Sequence, residues 1–230
     1  MSGRLRRFPR GWRRTVIATA AVLLTGATVD AQTGGERFEV GAGMRFVGPE
    51  PLGRVDATET NPGGGAFRLF TAESTLDSLL GVEARLGIRV TSALHLEATG
   101  SYGSSDLKVK LSADAENAAA ITATERIGQY TVEGAAVMEL TRWHVGAHGV
   151  PFIAAGAGYV RALHEDRILV DEGALWHAGG GVNLLLRSNP DGRLGLVGIR
   201  LDARALFQSG VVSDGVHASP AFGASAFVRF

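Results

Sequence analysis

Cysteine is absent from the 230-residue chain, which excludes a disulfide framework and any thiolate metal site. Basic residues become scarce once the first fourteen positions are set aside. Arg4, Arg6, Arg7, Arg10, Arg13 and Arg14 cluster there, while the whole chain balances 23 Lys+Arg against 23 Asp+Glu, so the remainder is acidic. No basic stripe is left for nucleic acid, and no such partner is expected. Long apolar runs are also missing. Thr15 to Leu24 (TVIATAAVLL) is too short for a spanning helix of about 20 residues, and no later segment approaches that length. The motifs of several well-known chemistries are lacking as well: there is no Walker A sequence, no His-Glu-x-x-His and no Gly-x-Ser-x-Gly. Gly156-Ala157-Gly158 lacks the third glycine of a dinucleotide loop. His144 and His148 stand four apart, a spacing that binds metal on a helix, but they fall in a Gly-containing turn and read as surface histidines. No catalytic set, metal site or cofactor is expected.

What is present begins with a leader. An arginine-rich stretch to Arg14, the short apolar run and the small residues before Val29-Asp30-Ala31 have the order of a secretory signal peptide. Residues 1–31 are therefore expected to be cleaved, leaving residues 32–230 as one domain.

Beyond the leader the dominant pattern is alternation with period two, the mark of strands with two unlike faces. Phe38, Val40, Ala42, Met44 and Phe46 oppose Arg37, Glu39, Gly41, Gly43 and Arg45. The pattern recurs over residues 79–90, 94–99, 129–140, 176–186, 197–205 and 222–230. Pro151 to Ala162 is small and apolar on both faces, so its orientation cannot be read. Leu107 to Leu111 still alternates and can extend the third strand, while Ser74 to Leu80 has the look of a helical turn. Eight strands of about ten residues match a membrane-crossing strand of about 9–11 residues better than a soluble one of about 5–6. Long and short connections alternate, as they do in outer-membrane barrels. The fold class expected is all-β, an eight-stranded antiparallel up-and-down transmembrane β-barrel.

Two arrangements of the faces are possible. Charges outside give a soluble lipocalin-like barrel; charges inside give a membrane barrel. The second is favoured because acids and bases occur together on the charged face and can pair, because glycines share that face, and because aromatic residues (Phe38, Phe46, Tyr102, Tyr130, Trp176, Phe207, Phe230) lie near strand ends. The expected interior charge network is Glu39, Arg45, Glu83, Arg85, Arg89, Glu97, Glu133, Glu139, Arg200, Asp202 and Arg204. His95 and His177 share that face.

The cleavable leader, the strand Pro151 to Tyr159 (PFIAAGAGY), the run Ile199 to Arg204 (IRLDAR) and the terminal Phe230 together make the chain resemble the porin-like outer-membrane β-barrel superfamily of Gram-negative bacteria. The resemblance implies outer-membrane lipid as surroundings, the barrel-assembly machinery as a partner that reads Phe230, and a monomer. The expected role is a non-enzymatic barrel with a plugged interior and long exterior loops. The alternative is a narrow channel or binding barrel for a small polar or amphipathic molecule.

Overall fold

In the computed structural model the described residues are 37–61, 63–115, 118–164, 170–188, 195–210 and 215–230. The expected leader, 1–31, and residues 189–192 of the turn after the sixth alternating segment lie outside them. No helix among the described residues is long and apolar enough to cross a membrane. The described residues form ten antiparallel strands: β1 (Phe38–Val47), β2 (Glu50–Thr60), β3 (Ala66–Leu76), β4 (Leu79–Arg89), β5 (Leu94–Ser112), β6 (Ile121–Glu139), β7 (Gly149–His164), β8 (Val170–Ser188), β9 (Leu196–Ser209) and β10 (Val216–Arg229).

Eight of them close a ring in the order β1, β4, β5, β6, β7, β8, β9, β10. The seam is the β1–β10 pair, in register from Glu39↔Arg229 to Val47↔Ala221. The ring strands are those expected from alternation. β2 and β3 are additional. They form a hairpin outside the ring, and β3 pairs with the last residues of β5, from Leu76↔Leu107 to Thr71↔Ser112. Ser74 to Leu80 is accordingly not helical: β3 ends at Leu76, Asp77 and Ser78 bridge, and β4 starts at Leu79. β6 also begins earlier than the polar Ala-rich segment implied, at Ile121, because it ladders along the extended β5 from Leu111↔Ile121 onward.

The strands separate an apolar outside from a polar inside. Outward residues include Leu86, 63% exposed, Val132, 66% exposed, and Leu186, 64% exposed. Inward residues include Arg85 and Arg200, each only 2% exposed. The orientation of β7 is now fixed. Ile153, Ala155, Ala157 and Tyr159 face out, while Phe152, Ala154, Val160 and Ala162 are buried. A soluble barrel has the opposite distribution. One with its aliphatic side chains outside and its arginines within is suited to lipid, which offers no hydrogen bonds to the backbone and requires a closed ladder.

Aromatic side chains mark both ends of the apolar band. Phe38 and Phe230 sit together at the end where β1 begins and β10 ends, with ring centroids 6.3 Å apart. At the opposite, far end, Tyr102 packs on Tyr130 at 4.6 Å and Phe46 on Phe222 at 6.5 Å. Tyr159, Trp176 and Phe207 face out from β7, β8 and β9 as well, and Trp176 pairs with Phe207 across β8 and β9. From Phe38 to Phe46, or from Tyr130 to Met138, the band is nine residues long on its strand, the length needed to cross the hydrocarbon.

The outward face gives a direct test. Ala84→Arg places a charge at the middle of the band, beside Ala42 and midway between the Phe38 and Phe46 rows, and is expected to destabilise the folded barrel in lipid vesicles by about 2–4 kcal/mol. Reversible urea unfolding followed by tryptophan fluorescence measures it; a soluble barrel would tolerate the change.

Candidate functional site

The interior is built by strands that turn every second residue inward. Inside, the arginines Arg45, Arg85, Arg200, Arg204 and Arg229 meet the carboxylates Glu39, Glu83, Glu97, Glu133, Glu139 and Asp202, and Arg89 shares their face. All but Arg89 are buried; Arg89 is half-buried near the end of β4. Arg229 is missing from the set expected from the sequence, although it lies on the charged face of the last strand.

The contacts fall into three tiers. At the near end Arg229 of β10 reaches Glu39 of β1 at 2.7 Å and Glu139 of β6 at 2.6 Å. Asn183 Nδ2 donates to the same Glu139 at 2.9 Å, and His95 Nε2 lies 3.4 Å from it. In the middle Arg200 donates to Glu97 at 2.6 Å and Arg204 to Asp202 at 2.6 Å. Glu83 lies between Arg85 and Arg204, each at 3.8 Å, and Arg85 also donates to Ser225. The Arg200 guanidinium stands 4.0 Å over the Phe152 ring, a cation–π placement that suits a desolvated arginine. In the third tier Arg45 pairs with Glu133. Thr131 donates to Glu133 at 3.1 Å and shares a 2.6 Å hydrogen bond with Ser101. His177 Nε2 is 3.3 Å from Glu133.

Isolated charges in such an interior would be very costly; pairing and added hydrogen bonds offset that cost. The pairs join residues far apart in sequence: Arg45 and Glu133 are 88 apart, Arg229 and Glu39 are 190 apart. Arg229 and Glu39 face each other across the β1–β10 seam, while Arg229–Glu139, Arg200–Glu97 and Arg45–Glu133 reach across the ring and tie its opposite walls.

Beyond the third tier the interior becomes apolar. Leu175, Leu206 and Ala221 pack with Val47. Leu76, Leu107, Ile127, Val160 and Ala162 form a second cluster, joined by Leu52 and Val109. Leu52 and Leu76 belong to the hairpin strands, so the β2–β3 hairpin contributes to closing the far mouth. Glu50 of β2 accepts a hydrogen bond from Ser219 of β10 at 3.2 Å. Burial raises the Glu50 pKa above the ordinary carboxylate value, against the opposing effects of Ser219 and His217. Between the charge tiers and the apolar clusters a void of about 10 Å³ is lined by Arg45, Val47, Leu79, Ser101, Gly103, Gln129, Thr131 and Gln208, room for about one water.

Past the membrane band, a smaller cluster joins three neighbouring strands. His164 of β7 meets Glu125 of β6 at 2.7 Å through Nδ1 and Asp171 of β8 at 3.2 Å through Nε2. Burial disfavours its charged form, but the bonds to Asp171 and Glu125 outweigh burial and raise its pKa above the usual histidine value. His144 and His148 are exposed on the β6–β7 turn, and no group of His, Asp and Glu among the described residues is arranged to hold a metal.

A ring of eight antiparallel strands with aliphatic walls outside and paired charges within is a transmembrane β-barrel of the small outer-membrane type. No protein-family model matches the sequence, and no curated protein matches it. Solved structures resemble the chain path at low identity. Neisserial surface protein A aligns with 84% of this chain and 97% of its own, at 12% identity and a TM-score of 0.49. The outer membrane protein OprG of Pseudomonas aeruginosa aligns with 85% of this chain and 94% of its own, at 10% identity and a TM-score of 0.45. The outer membrane protein AlkL aligns with 89% and 96%, at 14% identity and a TM-score of 0.45.

Two outcomes follow from these contacts. Arg229→Met leaves Glu39 and Glu139 without their shared cation, and a loss of about 3–5 kcal/mol in unfolding free energy is expected, measured in detergent or vesicles. The His164 clamp has its raised pKa in the folded state, so its stabilisation is complete below about pH 6.5 and is lost as the pH rises through the higher folded value. Hydrogen-exchange protection factors of residues 121–127 and 170–175, taken relative to the base-catalysed intrinsic rate, should fall over that rise, and His164→Gln should remove that fall.

Proposed function

We propose that the protein is a non-enzymatic integral barrel of the bacterial outer membrane whose interior is a structural plug and whose exterior strands carry recognition. The observation that supports this reading is how the interior is filled: three tiers of paired charges followed by two apolar clusters, the second including Leu52 and Leu76 of the hairpin. Charged or acid–base side chains such as His95 and His177 are buried there, out of reach of a substrate. Among the parts with no spanning role are the β2–β3 hairpin and the ends of β5 and β6. Their solvent-facing side bears Arg54, Asp56, Glu73, Lys108 and Arg126 in exposed ion pairs, a surface suited to polar contacts with other molecules.

In this reading residues 1–31 are the export signal, and both termini lie on the periplasmic side with the short turns. Phe230 is the assembly signal read by the barrel-assembly machinery. Its support is position: it ends an alternating strand, points outward and lies against Phe38. The chain functions as a monomer, its ring closed by its own first and last strands.

Planar-bilayer recording of the refolded barrel tests the plug. No steady conductance is expected at neutral pH. A stable ohmic pore would overturn the plugged reading in favour of a narrow channel. Heat-dependent migration of the membrane fraction on a gel tests the barrel separately.

A further inference from the structure

The near end of the barrel has a tight turn between β4 and β5, but the connection between β6 and β7 is larger and ordered. Trp143 N–H donates to the Leu140 carbonyl at 2.9 Å, and Val145 and Gly149 exchange two backbone bonds, at 2.8 and 3.0 Å. Gly146 takes φ of +66°, a conformation open to glycine without strain. The His148 carbonyl accepts from Leu185 N of β8 at 2.9 Å, which fixes the turn to the barrel wall. A turn this well bonded presents its side chains in a set arrangement.

Those side chains are unusual for a surface in water. Trp143 is 68% exposed and Val145 53% exposed, and Leu186 on neighbouring β8 is also bare. From Leu140 to Gly149 there is no acidic residue, while Arg142, His144 and His148 are all exposed. An exposed apolar pair beside one arginine and two histidines, with no carboxylate in the turn, has the character of a headgroup layer contact: tryptophan favours the interface and arginine favours phosphate.

We propose that the β6–β7 turn anchors the barrel in the leaflet at its near end by binding anionic phospholipid headgroups, with Trp143 entering the interface and Arg142 meeting the phosphates. The proposal rests on the membrane-barrel reading, and the test separates the two. Tryptophan occurs at positions 12, 143 and 176. The Trp12→Phe, Trp176→Phe variant reports on Trp143 alone; the Trp12→Phe, Trp143→Phe variant reports on Trp176 in the aromatic band. Each is refolded into vesicles of phosphatidylcholine, and of phosphatidylcholine mixed with phosphatidylglycerol. Acrylamide quenching of Trp143 is expected to fall about twofold or more when the anionic lipid is added, and Arg142→Gln to abolish that difference. Trp176, shielded in both compositions, confirms insertion. Shielded Trp176 with Trp143 equally open to acrylamide in both lipids overturns the anchor and leaves the barrel standing. Trp143 shielded equally in both overturns the preference for anionic headgroups. Trp176 open to acrylamide overturns the barrel reading itself.

Discussion

Hydrocarbon cannot hydrogen-bond to a peptide group, and that constraint orders everything else in the molecule. A sheet in lipid has to close on itself, and here it closes where β1 meets β10 along nine paired positions from Glu39 to Val47. Closure puts every second side chain inside a narrow ring. The aliphatic set goes to the lipid, which welcomes it, and the polar set is left to solve its own electrostatics. Arginine suits this task because its planar fork can serve two carboxylates at once, as Arg229 serves Glu39 and Glu139.

Interior space is as limiting as charge. A side chain at Gly181 would meet Asp202 Cα at 2.8 Å and the Phe152 ring at 2.9 Å, and that ring is the face on which Arg200 rests. Glycine on the inward side of β8 is therefore part of how the middle tier fits. Past the tiers, where the walls rise beyond the aromatic band, the same inward positions turn aliphatic and the packing becomes that of an ordinary soluble core.

The ring was legible because its strands are amphipathic in the strict sense: charge on one parity and aliphatic carbon on the other. Where that contrast fails, sequence reading fails with it. β7 has alanine and glycine on both parities, and only its neighbours fix which side faces in. The outer parts of the strands, around Leu107, Ile127, Val160, Leu175 and Leu206, bury apolar residues inward while their surroundings remain mixed, so alternation gives no warning of an apolar mouth. The hairpin was hidden for a geometric reason. Its register shifts between Pro51 and Gly53 and between Ala57 and Thr58, and each shift resets the parity on which the pattern depends. The predicted helical turn at Ser74 to Leu80 failed because long-range pairing with β5 decides the conformation there. The interior charges were visible as a face, but not as pairs. Which acid meets which base depends on cross-ring distances, and Arg229 acquires its place only when the last strand lies against the first.

The long sequence separations of those pairs have a consequence for how the chain reaches this state. Glu39 is made early and waits for Arg229, 190 residues later; Arg45 waits for Glu133, and Glu97 for Arg200. An open sheet entering the bilayer would carry these groups unneutralised, a state strongly disfavoured in hydrocarbon. Insertion and ring closure are thus one cooperative event, and half-assembled forms are rejected by their own charges.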